Sequence, residues 1–233
     1  MSETDDPLER LEQEHAARGT TRVEFQQQLD DLERQLVRAA SQVADAIEPV
    51  TRALLDADHA AAEGWIRQHH ELASACRRLE EAGYVVLARQ SPVAGDLRRI
   101  VTTLRNAGDV QRTGDLLGHI AGSLRWLDPV ALPPAVRELI ARFGDVVSGI
   151  YHDAVRAWID RDSLAAVDLQ RRDDEADRLQ RELLTDLYQG DCSREELVSL
   201  ARLARYYERI ADHGVELARG VTYAQTGERP FDP

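Results

Sequence analysis

The chain has 233 residues, of which 43% are hydrophobic and 30% charged, with 14 glycines and 8 prolines. This is enough apolar material for one large or two small cores, and the low glycine and proline content argues against an all-β protein. The net charge of −13 argues against nucleic acid as the principal partner, because phosphate backbones are bound by basic surfaces.

The remaining composition favours a cytoplasmic protein. The two cysteines, Cys76 and Cys192, form neither a disulfide framework nor a zinc motif. No stretch approaches the roughly 20 apolar residues of a membrane span, and the polar, acidic N-terminus is unlike a signal peptide. We therefore expect a soluble protein of the cytoplasm.

The first half of the chain predicts a polar, flexible leader (1–19) and three helices (20–127). Apolar residues recur at helical spacing from a start near Thr20–Arg22. A second helix follows, in which His69 fills a gap in the apolar stripe. Ser91 is the expected N-cap of the third helix, with Pro92 at its first position.

A proline-rich linker, 128–134, separates this unit from a second one at 135–229, where the same arrangement repeats. Three more helices are predicted there, the last capped by Ser193. Gln111 aligns with Glu208 and Asp115 with Asp212, each pair 97 positions apart. We therefore predict an all-α protein of two tandem three-helix bundles.

Two pairs of acids in the second unit lie four residues apart, which places each pair on one helix face. Asp173 and Asp177 are on the fifth helix, and Glu208 and Asp212 on the sixth. A short connection makes these helices antiparallel neighbours. Asp177 lies about 13 residues and Glu208 about 18 from the turn near 190, so the two acidic pairs come to similar heights.

Four carboxylates at one height repel each other unless they are protonated or neutralised. A divalent or trivalent cation with oxygen ligands is one possible counter-charge. The alternative is an ordinary solvated face, because acids four apart are common on charged helices.

Several motifs together resemble the PhoU family of phosphate-signalling proteins. They are SPVAGDLR, VQRTGD, DDEAD, YYERIADH and TYAQTGE, in two repeats from about residue 20 to 229. The resemblance implies two bundles in pseudo-twofold relation. It also implies a non-enzymatic, homodimeric negative regulator of the phosphate response, with two expected partners: the ATPase subunit of a phosphate ABC transporter and a phosphate-sensing histidine kinase.

The family's E/DxxxD motifs bind iron or zinc clusters, which the resemblance carries onto Asp173, Asp177, Glu208 and Asp212; magnesium or manganese would suit carboxylates as well. The first repeat departs from the motif, since it has His69, Ala73 and Gln111 at acidic positions and keeps only Asp115. Asp115 and His69 are therefore weaker candidate ligands, and we expect one competent acidic site.

Three other functions remain open. A divergent helical scaffold without metal would use the acids for solvation alone. A ferritin-like di-metal enzyme needs Glu-x-x-His pairs, and the spacing occurs at Glu12 and His15. Direct phosphate binding could use arginine clusters such as Arg98/Arg99 or Arg202/Arg205/Arg209, but we expect those arginines to form surface ion pairs and to bind no inorganic phosphate specifically.

Overall fold

The computed structural model describes residues 7–189 and 193–228, so Cys192 and the first six residues of the predicted leader lie outside it. The described part contains six α-helices: α1 Pro7–Leu55, α2 His59–Gln90, α3 Ala94–Gly122, α4 Pro134–Asp160, α5 Ala165–Gln189 and α6 Arg194–Thr226. A 3₁₀ turn, Ser123–Arg125, extends α3. No helix among the described residues is long and apolar enough to cross a bilayer.

Two predicted helix starts are wrong. Helix α1 begins at Pro7 rather than near Thr20–Arg22. Ser91 is the left-handed C-cap of α2, with φ 44°, and α3 begins at Ala94 after the extended Val93. Because a proline disfavours the right-handed helical conformation in the residue before it, Pro92 ends α2 rather than beginning α3.

The predicted cap of α6 is correct. The Ser193 hydroxyl accepts a hydrogen bond from the Glu196 N–H at 3.2 Å, and the Ser193 N–H donates to the Glu196 carboxylate at 2.9 Å. This reciprocal pair is a capping box. It fixes where α6 begins, and with it the positions along the helix of Glu208 and Asp212.

The predicted all-α fold of two related three-helix bundles is confirmed. Helices α1, α2 and α3 pack on one another, as do α4, α5 and α6. The bundles meet through α1 against α4 and α3 against α6, so that these four helices form a ring with α2 and α5 outside it. One hydrophobic core runs through both bundles, and it includes the predicted stripe of α1 from Phe25 to Leu54.

Buried hydrogen bonds connect α6 to the other three helices of the ring, two of them across the boundary between the bundles. The Tyr207 hydroxyl lies 2.8 Å from Thr51 Oγ1, which in turn donates to the Ile47 carbonyl. Asn106 Nδ2 and Trp158 Nε1 both donate to the Leu217 carbonyl, at 3.3 and 2.8 Å. These bonds fix the position of α6 relative to α1, α3 and α4.

We expect Tyr207→Phe to lower the free energy of unfolding by about 1 kcal/mol, because the buried hydroxyl loses its bond to Thr51 while the ring still packs. Urea unfolding measures the change. Tyr188→Phe is the matched control, since Tyr188 is 87% exposed. Equal stability of Tyr207→Phe and the control would show that the bond between the bundles contributes nothing measurable.

Candidate functional site

The structure brings the four predicted carboxylates of α5 and α6 into one electrostatic neighbourhood. Asp212, Asp177 and Glu208 all act on the charge of Asp173. The helices are antiparallel there, because Gln170 near the start of α5 bonds Arg219 near the end of α6. The four acids are named together below as the acidic quartet.

The quartet is unevenly buried. Asp173 is only 9% exposed, because it follows Leu169 and precedes Ala176 on the buried stripe of α5. The Glu208 side chain is 12% exposed, whereas Asp177 and Asp212 reach solvent. The quartet therefore has a buried side and a solvent-exposed side, and an ion can approach from the exposed side.

Two buried oxygens of the quartet, Asp173 Oδ1 and Glu208 Oε2, have no hydrogen-bond partner among the described residues. Their companion oxygens are engaged: Asp173 Oδ2 lies 3.4 Å from Gln170 Nε2, and Glu208 Oε1 accepts from Arg205 Nη1 at 2.5 Å. An unpartnered buried carboxylate oxygen is costly. Both atoms are therefore suited to a further donor or a cation.

Burial and the neighbouring negative charges raise the pKa values of three acids of the quartet. Burial, followed by the charges of Asp212, Asp177 and Glu208, raises the pKa of Asp173 to about 6. The pKa of Glu208 is also raised, first by burial and then by Asp212, with Arg205 opposing the shift. The pKa of Asp212 is raised mainly by desolvation, against His213 and Arg205. In each case the charged form is disfavoured, as expected where anions share a partly dry site.

The donor set fits a hard cation in its chemistry, since it offers carboxylate oxygens, two of them unpartnered. As the side chains stand, no three His, Cys, Asp or Glu residues in the described ranges are arranged to hold one metal ion. Occupation by an ion would therefore require side-chain rotation within the quartet.

The first repeat carries a different pair at the corresponding place. His69 Nε2 lies 3.3 Å from Asp115 Oδ1, and His69 Nδ1 lies 2.9 Å from the Ile66 carbonyl. The structure thus brings the two weaker candidate ligands together without further carboxylates. Ala73 is buried there and supplies no ligand.

Sequence reasoning missed a buried polar pair between the bundles. Asp109 of α3 and His213 of α6 are 7% and 8% exposed, and His213 Nδ1 lies 3.6 Å from Asp109 Oδ1. Burial raises the pKa of Asp109 and lowers the pKa of His213, while the charge of each opposes the shift of the other. The pair joins two repeats, and the periodicity of a single helix gives no signal for such a partner.

Comparison with known proteins now identifies the class. The architecture is that of a duplicated three-helix protein with an acidic site on its second repeat. The model of the PhoU domain matches this chain twice, at residues 36–124 and 140–221. The chain belongs to the PhoU family.

Curated relatives support this assignment. The phosphate-specific transport system accessory protein PhoU homolog 2 of Mycobacterium tuberculosis is 36% identical over 212 residues, which cover 90% of this chain and all of the relative. PhoU homolog 1 of Mycobacterium leprae is 36% identical over 91% of this chain and 96% of its own length.

Solved structures share the fold. The phosphate transport system regulatory protein PhoU from Streptococcus pneumoniae superposes with a TM-score of 0.81 at 21% identity, covering 89% of this chain and 99% of the other. PhoU from Pseudomonas aeruginosa gives 0.81 at 24% identity, covering 88% and 100%.

We expect Asp173→Asn to stabilise chelator-treated protein at pH 8 by about 1–3 kcal/mol, because it removes a disfavoured buried charge. The gain should vanish near pH 4. Between pH 4 and about 6 the folded protein binds more protons than the unfolded chain, so the wild-type free energy of unfolding falls as pH rises through this window.

Urea unfolding across this pH range measures the effect. Asp186→Asn, an exposed acid on the same helix, is the control and should leave the pH profile unchanged. A lower free energy of unfolding for Asp173→Asn than for the wild type at pH 8 would contradict the claim that the Asp173 charge is unfavourable in the folded protein.

Proposed function

We propose that the protein is a regulatory accessory protein of phosphate transport. The match of both repeats to the PhoU domain carries this proposal, together with relatives that are named as accessory proteins of the phosphate-specific transport system. The role is non-enzymatic. It consists of coupling phosphate status to protein–protein contacts.

The proposed partners are the ATPase subunit of a phosphate ABC transporter and a phosphate-sensing histidine kinase, both bound through helical faces. Binding negatively regulates the phosphate response. The protein would act in the cytoplasm as a homodimer, peripheral to the membrane through these partners. The net charge of −13 favours a basic partner surface over nucleic acid.

The acidic quartet is the proposed metal site of this regulator. The unpartnered oxygens of Asp173 and Glu208 support the proposal, because a cation would satisfy both and offset the repulsion with Asp177 and Asp212. Iron or zinc would be the resident ion, and magnesium or manganese would also suit carboxylates. His69 and Asp115 are not proposed to hold a cluster, because one imidazole and one carboxylate supply too little negative charge.

A second candidate is a helical scaffold of the same family that binds no metal. It is favoured by one observation, the lack of a ready three-ligand arrangement in the described part of the chain. The ferritin-like enzyme has no comparable support. Its only motif, Glu12 and His15, lies in the first turns of α1, whose side chains are outside the described set.

Metal content separates the two candidates. Untagged protein purified without chelator should contain bound iron or zinc, and Glu208→Gln combined with Asp212→Asn should remove it. The matched control is His69→Gln combined with Asp115→Asn, which alters the first repeat and should retain the metal. Elemental analysis reads the content, and chelator should lower the unfolding midpoint of the wild type only if an ion was bound.

Wild-type metal content in the Glu208/Asp212 variant would place the ion elsewhere. Metal-free wild-type protein, with an unfolding midpoint that neither chelator nor added iron or zinc changes, would favour the scaffold.

Partner binding tests the regulatory role itself. The immobilised protein should retain the ATPase subunit or the cytoplasmic part of the kinase, and excess untagged protein should displace it. The chain unfolded in urea serves as the negative control for the matrix. If neither partner is retained, the proposed mechanism is wrong.

A further inference from the structure

A cavity of about 370 Å³ lies between α2, α3 and α6, at the boundary between the two bundles. We refer to it as the first-repeat cavity. Its lining includes His69, Asp115, His119, Trp126, Arg202 and Tyr206. Its volume is in the range of small-molecule sites, and a single inorganic anion would fill only a small part of it.

The first-repeat cavity has cationic side chains without counter-ions. Arg125 and Arg202 both line it, and in the described part of the structure neither guanidinium group forms an ion pair or a hydrogen bond. The acid of the lining, Asp115, is already engaged by His69 at 3.3 Å. The other ring nitrogen, His69 Nδ1, lies 2.9 Å from the Ile66 carbonyl oxygen.

The arginine that corresponds to Arg202 in the other repeat has an acidic partner. Residues 97 positions apart correspond, so Arg202 corresponds to Arg105 and His119 to Glu216. Arg105 Nη2 lies 3.6 Å from Glu216 Oε2. The first repeat has His119 at the position of Glu216, so the Arg202 side chain has no carboxylate partner beside the cavity.

Aromatic side chains line the same cavity. His119 stacks on Tyr206 with ring centroids 5.3 Å apart and planes at 26°. Trp126 is 69% exposed, an unusual position for so large an apolar ring. A planar ligand seated in the cavity would cover part of this surface, since aromatic side chains stack well on flat rings.

We propose that the first-repeat cavity binds an organic phosphate that carries a planar ring, a ligand of the nucleotide class. Arg202 and Arg125 contact the phosphate, which guanidinium groups bind through paired N–H donors. Trp126 and the Tyr206–His119 stack contact the ring. This site is separate from the acidic quartet and needs no metal.

The probes are AMP, ribose 5-phosphate and inorganic phosphate, titrated into the full chain by calorimetry with EDTA present. The chelator prevents a metal on the acidic quartet from bridging to phosphate, so that the result does not depend on the proposed metal site. AMP should bind saturably, and the two probes without an aromatic base should bind about tenfold more weakly or worse.

Two variants should weaken AMP binding by about tenfold or more. Arg202→Gln removes the unpaired cation, and His119→Glu supplies the counter-ion that the second repeat has while leaving Arg202 in place. Arg105→Gln on α3, at the position of the first repeat that corresponds to Arg202, is the matched control and should change the affinity less than twofold. Circular dichroism and urea unfolding establish that each variant is folded.

Either of two results would overturn the proposal. One is the lack of saturable AMP binding by the wild type at millimolar concentration. The other is equal AMP affinity in wild type, Arg202→Gln and His119→Glu. Inorganic phosphate binding as tightly as AMP would contradict the role of the aromatic side chains.

Discussion

The packing of α5 against α6 places like charges where water is scarce, and the chemistry of the second repeat depends on this constraint. Asp173 cannot leave the cluster easily, because its place on the helix is set by the buried Leu169 and Ala176 on either side. Glu208 is held in the same way between Ala204 and Ala211. The fold therefore keeps two disfavoured carboxylates in position, and a proton or a cation relieves the repulsion.

Such a site is useful to a regulator. A cluster of anions that is destabilising when empty and favourable when neutralised links the stability of one bundle to the ion or proton that it holds. Helix α6 also carries Tyr207 and the Leu217 carbonyl, which hydrogen-bond to the other helices of the central ring. A change at the quartet thus acts on a helix that both bundles share.

The two repeats have kept one backbone arrangement and changed its charges. In the second repeat, α5 and α6 carry Asp173, Asp177, Glu208 and Asp212, and Glu216 of α6 pairs with Arg105 of α3. Around the first repeat, the corresponding surface presents His69 and His119, with Arg202 unpaired. Duplication followed by such substitutions would give one molecule the two sites proposed above, one for cations and one for anions.

Sequence periodicity was sufficient to predict the helices, the duplication and the two acidic pairs, because each of these depends on spacing within a helix. It failed at Ser91, where Pro92 acts on the residue before it, and at the start of α1, where polar residues continue a helix without an apolar stripe. It also missed Asp109 with His213, and it grouped Arg202 with ion-paired arginines. The Asp109–His213 pair depends on which helices meet across the bundles. The lack of an ion pair at Arg202 likewise becomes visible only once the helices are packed.

The most direct test of the account is a crystal structure of protein purified without chelator, with anomalous diffraction measured at the iron and zinc edges. The account predicts an anomalous peak within about 2–2.5 Å of Asp173 Oδ1 and Glu208 Oε2, with Asp177 and Asp212 turned toward it. If metal-supplemented crystals show no peak there and both oxygens are bonded only to water or arginine, the central claim is contradicted.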